Sequence, residues 1–340
     1  MMVQMKFYFL QSLLFISSSQ LSSGFLAGIP ISQKYTKNNN HALLQLRMKS
    51  DLVESIEREI SSVTGENCNL EFGYAGAGGG GGASVGTIKD SISGKQYFYK
   101  STNLFGYEML RAEFEGIKAM HETNTIKVPE PICKGTSQNN AFVVFEHLNM
   151  GGGGSLKQMG QELAAMHRNT SPNGKFGFHI DNTCGATPQP NTWEETWADF
   201  YCIYRLDHMI RLCERDGASF PNKKELRDKV HAILSEHNPV PSLVHGDLWS
   251  GNKGFADGKP VIFDPATYYG DREVDIAMSY LFGSFGSDFY SAYEEAWPIS
   301  PGFEQRKTIY NLYHILNHFV LFGGGYIGQA QSMISRIMKY

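Results

Sequence analysis

Eight of the fourteen residues from Gly73 to Gly86 are glycine. A helix cannot survive that density, because each interior glycine costs about 1 kcal/mol relative to alanine. The segment must be a turn or loop, and two strand-like runs flank it within residues 69 to 100. Backbone N–H groups in such a loop can approach an anion with no Cβ in the way. Gly78, Gly80, Gly82 and Ser84 are therefore candidate phosphate contacts. Gln96 to Lys100 is the next strand, and it ends in the candidate cation, Lys100.

The remaining pattern sets the fold class. Leu52, Ile56, Ile60 and Val63 recur at helical spacing over residues 51 to 64. Tyr107 to His121 reads as a helix. Its Glu113 lies beside Leu110 and Ile117, towards the core, while Glu115 points away. Glu113 is thus the expected partner of Lys100, ahead of Glu108 and Glu115. Phe142 to Leu148 is a buried-strand run leading into Gly151 to Gly154, a hinge. The backbone at Glu146, His147 and Leu148 is where an adenine would bond. Beyond the hinge, Ser155 to Arg168, Trp193 to Arg215, Lys223 to Glu236, Val274 to Phe282 and Phe303 to Phe322 are helical, with Ser155 able to cap the first. The expectation is an α+β fold of two lobes: a small sheet-rich N-lobe over residues 51–149 and a larger helical C-lobe over 150–340.

The most specific signal is Leu243-Val-His-Gly-Asp-Leu-Trp-Ser-Gly-Asn252, followed twelve residues later by Asp264 in Val261-Ile-Phe-Asp-Pro265. Phosphoryl transfer needs a carboxylate to accept the proton of the attacking hydroxyl. It also needs oxygen ligands that hold Mg²⁺ against the phosphates. Kinase catalytic loops space a base and an Asn in this way, with a second Asp on a later loop. Asp247 is the candidate base, and Asn252 and Asp264 are the candidate metal ligands. His245 is read as holding the loop by side-chain hydrogen bonds.

Composition separates residues 1–50 from the rest. They contain no acidic residue and five basic ones, whereas the body carries a net charge of −9 within a chain total of −4. Phe7 to Ile16 is an apolar run too short for a membrane span, which needs about 20 residues. A small-residue stretch and then an acid-free Ser/Thr/Lys/Asn stretch follow. A signal-like segment before a transit-like one resembles the bipartite leaders of algal plastids, so the plastid stroma is the expected address. Secretion and a cytoplasmic location are the alternatives. The acidic balance argues against nucleic acid as a partner. No later segment looks transmembrane. The five cysteines form no C-x-x-C pair, which argues against a disulfide or zinc scaffold.

From about Glu54 to Met338 the chain resembles the fructosamine-3-kinase (ketosamine-3-kinase) family, related to aminoglycoside and choline phosphotransferases. The landmarks are Phe176-Gly-Phe, Asp181-Asn-Thr, Thr187-Pro-Gln-Pro-Asn-Thr-Trp193, His245-Gly-Asp-Leu-Trp-Ser-Gly-Asn252, Phe263-Asp-Pro-Ala266, Tyr268-Tyr-Gly-Asp-Arg-Glu-Val-Asp275 and Leu321-Phe-Gly-Gly-Gly-Tyr-Ile-Gly-Gln329. The resemblance implies a protein-kinase-like fold, ATP and Mg²⁺. It also implies phosphorylation of the 3-hydroxyl of ketosamines, on glycated proteins or as small molecules, leading to deglycation. Ribulosamines are the expected substrates ahead of fructosamines. Lys100, Glu113, Asp247, Asn252 and Asp264 take the family's catalytic and metal positions. Gly246 stands where protein kinases carry an Arg, so constitutive activity is expected. The loop from Gly78 to Gly82 carries no cysteine, unlike that of many family members. Trp249, Trp193 and Asp271 are candidate substrate contacts. Asp271 could alternatively pair with Arg272 as a brace. The rival readings are a small-molecule kinase on the same fold and a non-catalytic nucleotide-binding regulator.

Overall fold

The computed structural model describes residues 51–77 and 82–340, with the backbone alone at 74–77. The expectations for residues 1–50, Gly78 and Gly80 lie outside it. Helix α1 covers residues 51–64. A five-stranded antiparallel sheet follows, of β1 (Leu70–Ala77), β2 (Ser84–Asp90), β3 (Gln96–Asn103), β4 (Pro131–Thr136) and β5 (Asn140–Glu146), in the order β1-β2-β3-β5-β4. Helix α2 (Tyr107–His121) connects β3 towards β4. Phe142 and Val144 face α1, packing with Ile56, Ile60, Tyr97 and Tyr99. Val143 and Phe145 face the other way, with Leu110, Phe114 and Ile117 of α2. With a helix on each face of the sheet, both alternating sets of side chains are buried, so β5 is apolar from Ala141 to Phe145. Val63 departs from expectation. It is 62% exposed, because the helix ends one residue later and Gly65, at φ +74°, turns the chain away.

Past β5 the glycine segment lies against a later strand. Gly151 N–H donates to Phe255 O, and a Cβ on Gly154 would stand 2.1 Å from the Phe255 ring. Helix α3 (Leu156–His167) begins at Ser155, whose Oγ accepts from Gln158 N. A hairpin of β6 (Asn182–Cys184) and β7 (Thr187–Gln189) precedes α4 (Trp197–Tyr201), a π-helical turn (Cys202–Asp207) and α5 (His208–Arg215). The helix starts later than the sequence pattern suggests. Thr196 caps it, and Glu194 bridges to Phe176 instead. In the π turn, buried Arg205 reaches back to Pro190 O and Asn191 Oδ1 and lies 4.1 Å over the Tyr268 ring.

Helix α6 (Lys223–Ser235) leads to the short strands β8 (Ser242–Val244), β9 (Lys253–Ala256), β10 (Lys259–Ile262) and β11 (Tyr268–Gly270). β9 pairs with β10, and β8 pairs with β11. Helices α7 (Glu273–Leu281), α8 (Ser287–Ala296), α9 (Phe303–Phe322) and α10 (Tyr326–Ile337) complete the C-terminal lobe. The glycines at 323–325 break α9 from α10. Gly323 N–H closes on Phe319 O, and Gly323 and Gly324 take φ +62° and +65°. Among the described residues no helix is long and apolar enough to cross a membrane.

Candidate active site

β3 and α2 together place a buried cation. Lys100 Nζ lies 2.7 Å from Glu113 Oε1 and 2.7 Å from Asp264 Oδ1. Burial alone would lower the lysine's pKa, but the two carboxylates outweigh it and raise it. Burial pushes Glu113 up, and Lys100 opposes that shift. The competing acids are engaged elsewhere, Glu115 with Lys134 and Glu108 with Arg111. Asp264 carries φ +56° immediately before Pro265. A residue preceding proline is normally extended, so this is a sparsely populated conformation of the kind found at functional sites.

Residues 245–252 form the loop between β8 and β9. Asp275, at the start of α7 and fully buried, accepts from His245 N (2.7 Å) and Gly246 N (2.8 Å). His167 Nε2 bonds it at 3.0 Å, and Tyr293 O–H pairs with His167 Nδ1 at 2.7 Å. Burial would raise the Asp275 pKa, but these bonds hold its carboxyl below the usual range. His245 Nδ1 accepts from Asp247 N–H, which leaves Nε2–H to donate to Phe263 O. Burial lowers its pKa, consistent with a neutral ring. Gly246 takes φ +79°, and a Cβ there would meet Ala266 O at 2.2 Å. No side chain, arginine included, fits at that position.

Asp247 stands at the rim of the loop with its side chain 21% exposed. Burial, followed by the charges of Asp264 and Asp275, pushes its carboxyl up to about 7. Asn252 Nδ2 donates to Asp247 O (2.9 Å), Asp247 Oδ2 (3.3 Å) and Asp264 O (3.3 Å). This leaves Asn252 Oδ1 and Asp264 Oδ2 without a protein donor among the described residues. Two such oxygens, one amide and one carboxylate, are the donor types a hard divalent cation takes, so the residues fit Mg²⁺.

The other residues named from sequence are spread more widely. Gly82 (φ +83°) and exposed Ser84 lead into β2 opposite Ser101. Glu146 ends the β5 ladder, its carboxylate 2.9 Å from Lys127 Nζ, and His147 and Leu148 follow partly buried. Trp249 packs edge-on to Phe282, and Trp193 stacks on Tyr269. Asp271 needs correction as a substrate contact. Its carboxylate is 1% exposed and bonded to His237, Tyr310 and Glu273 N–H. Along β11 the chain runs away from the catalytic loop, since Tyr268 faces Val244 and Gly270 faces Ser242. Nor does Asp271 pair with Arg272, whose guanidinium goes to Tyr293 and to the carbonyls of Trp297 and Pro298. Sequence reasoning missed Asp275 and His167. The available signal for Asp275 was an acid among the apolar Val274, Ile276 and Ala277 of a buried helix.

A five-stranded lobe with one flanking helix glutamate on its lysine, joined to a helical lobe, is the fold of kinase-like phosphotransferases. The fructosamine kinase family model matches residues 52–340. A protein of Synechocystis named a probable ketoamine kinase is 44% identical over 290 residues, covering 84% of this chain and 97% of that one. A chloroplastic protein-ribulosamine 3-kinase of Oryza sativa is 39% identical over 273 residues, 78% of this chain and 79% of its own. A solved structure from Haemophilus somnus, described as a candidate fructosamine-3-kinase, superposes with a TM-score of 0.75 at 32% identity, covering 83% and 96% of the two chains. The chain belongs to the fructosamine kinase family.

Proposed function

We propose that this protein is an ATP- and Mg²⁺-dependent ketosamine 3-kinase that acts in protein deglycation. The observation that carries the reading is the convergence of Asp247, Asn252, Asp264 and Lys100 from two lobes. Family membership and the ribulosamine 3-kinase name of the plant relatives point to ketosamines as the acceptors. Asn252 and Asp264 would hold Mg²⁺, which would supply positive charge against the phosphates. Lys100, oriented by Glu113, offers a further positive charge to the phosphates. Asp247 accepts the proton of the sugar hydroxyl while that oxygen bonds to the γ-phosphorus and the bond to ADP breaks. The backbone past Glu146 receives the adenine, and the glycines of the β1–β2 loop receive the phosphates. With Gly246 in place of an arginine there is no docking point for an activation-loop phosphate, so activity is constitutive.

The test is an acceptor panel with purified protein, ATP and Mg²⁺. Ribulosyl-lysine should be phosphorylated far faster than choline, ethanolamine or an aminoglycoside. Equal or absent ketosamine turnover would overturn the reading. We also place the mature protein in the plastid stroma. The acid-free composition of residues 1–50 and the chloroplastic names of the rice and Arabidopsis relatives support this address. A fluorescent fusion to residues 1–50 should enter plastids, and a uniformly cytosolic signal would refute import.

A further inference from the structure

We infer that His314, with Cys184 and Asn317 around it, forms a subsite for a second hydroxyl of the acceptor, adjacent to the hydroxyl that Asp247 deprotonates. The inference rests on the ketosamine reading and names the feature of that substrate the site selects. The two carboxylate oxygens of Asp247 face different surroundings. Oδ2 lies 3.3 Å from Asn252 Nδ2, on the side of the metal ligands. Oδ1 lies 3.8 Å from His314 Nδ1, on the side of α9.

His314 is 4% exposed, and its Nδ1 has no hydrogen-bond partner among the described residues. Asn317 Oδ1, three residues along the same helix, and Thr187 Oγ1 are also buried without partners. Such atoms are rare, and each costs about 1–3 kcal/mol if left unmet. All three gather at Cys184. Asn317 Nδ2 donates to Cys184 O, and Thr187 is its opposite residue in the hairpin. The Cys184 thiol, the Asp247 carboxylate and a His314 nitrogen lie within 4.8 Å of one another.

Two kinds of ligand could unite this trio, and distance separates them. A tetrahedral zinc with bonds of about 2.0–2.3 Å draws a nitrogen and an oxygen ligand to roughly 3.4 Å. The 3.8 Å observed is wider than that. Burial also raises the Cys184 thiol far above its ordinary range, so it keeps its proton. A hydroxyl oxygen at hydrogen-bond distances of about 2.7–3.2 Å from each atom matches that separation, and it reaches the buried nitrogen once the side chains around it part to admit the acceptor. Burial lowers the His314 ring to about 3, so it is neutral at working pH. A neutral imidazole nitrogen is either a donor or an acceptor, and a hydroxyl can meet it in either role. A quaternary ammonium can meet it in neither. The subsite therefore suits a polyol chain with contiguous hydroxyls and rejects a single-hydroxyl amino alcohol.

The test compares wild type and His314→Phe on four acceptors: ribulosyl-lysine, its 4-deoxy analogue, ribitol and choline. Wild type should lose roughly 100-fold in kcat/KM on the 4-deoxy analogue. His314→Phe should lose a similar factor on ribulosyl-lysine and almost nothing further on the analogue, a coupling that a merely structural role would not produce. Equal wild-type turnover of the two ketosamines overturns the subsite without reference to any variant, so a misfolded His314→Phe cannot shelter it. Equal losses on both substrates in the variant overturn the role of His314. Ribitol turnover without ketosamine turnover would overturn the ketosamine reading and leave the subsite standing. Choline turnover alone would overturn both.

Discussion

Asp247 is held in an environment that costs stability, and this gives it two separable signatures. Burial, with the charges of Asp264 and Asp275, pushes its carboxyl from the ordinary 3.8 up to about 7. The proton acceptor must be ionised, so kcat/KM of the free enzyme should rise with pH through about 7 and level off above it. A flat profile between pH 5.5 and 8 would contradict this. The sign for stability is the reverse. An acid whose folded pKa is raised favours the fold below its unfolded pKa, and that contribution is lost as pH climbs through 7. Asp247→Asn should therefore abolish turnover by 10³-fold or more while leaving ATP binding intact, an order of magnitude typical for losing a general base. The same variant should be more stable than wild type at pH 8 by about 1–3 kcal/mol, the difference vanishing near pH 4. Denaturant titrations at the two pH values measure it, and a less stable variant at pH 8 would contradict the environment described for Asp247.

At the scale of elements, α2 and α7 act on the site through single acids. Of the three acids of α2, Glu113 is the one that reaches Lys100, so Glu113→Ala should lower kcat/KM for ATP by roughly 10–100-fold. Glu115→Ala, which frees Lys134 and His179 and leaves Lys100 untouched, should change it less than threefold by the same assay. Helix α7 anchors the catalytic loop by one carboxylate that takes two backbone N–H groups and a histidine. Asp275→Asn should destabilise the protein by about 3 kcal/mol, as expected for breaking a buried charged network, and lower kcat more than it changes KM. Retained kcat with lost stability would show that Asp275 holds the fold but not the loop geometry.

For the whole molecule, the decisive feature is one apolar cluster shared by both lobes. Val143 and Phe145 of β5 and Leu110 and Phe114 of α2 belong to the same cluster as Leu163 of α3, Leu243, Leu248, Ile262 and Phe289 of α8. The lobes are therefore expected to unfold together. Calorimetry should show one transition for the body, with matching calorimetric and van't Hoff enthalpies. Phe145→Ala, removing a ring 3% exposed, should lower stability by about 3–5 kcal/mol and shift that single transition intact. Two resolved transitions would mean that the glycine segment at 151–154 separates independent units.

Much of this protein can be read from local pattern. Glycine density placed a turn between strands, the unbroken apolar run from Phe142 to Phe145 placed a buried strand, and Ser155 marked a helix start. The spacing of Asp247, Asn252 and Asp264 likewise pointed to a site. These features rest on backbone sterics and short-range periodicity, which neighbouring residues specify. Tertiary structure decided what depends on distant partners. The glycines at 323–325 proved to be the turn between two helices. Asp271 moved from a substrate contact to a buried bond with Tyr310 and His237. Asp275 and His314 each sit in an apolar helical run, where a core residue and a site residue look alike in sequence. Their roles follow from what faces them across 29 and 67 residues of chain, two loop N–H groups in one case and the Asp247 carboxylate in the other. A residue's charge and hydrogen-bonding capacity are written in its type, but the group that meets them is chosen only when the chain closes on itself.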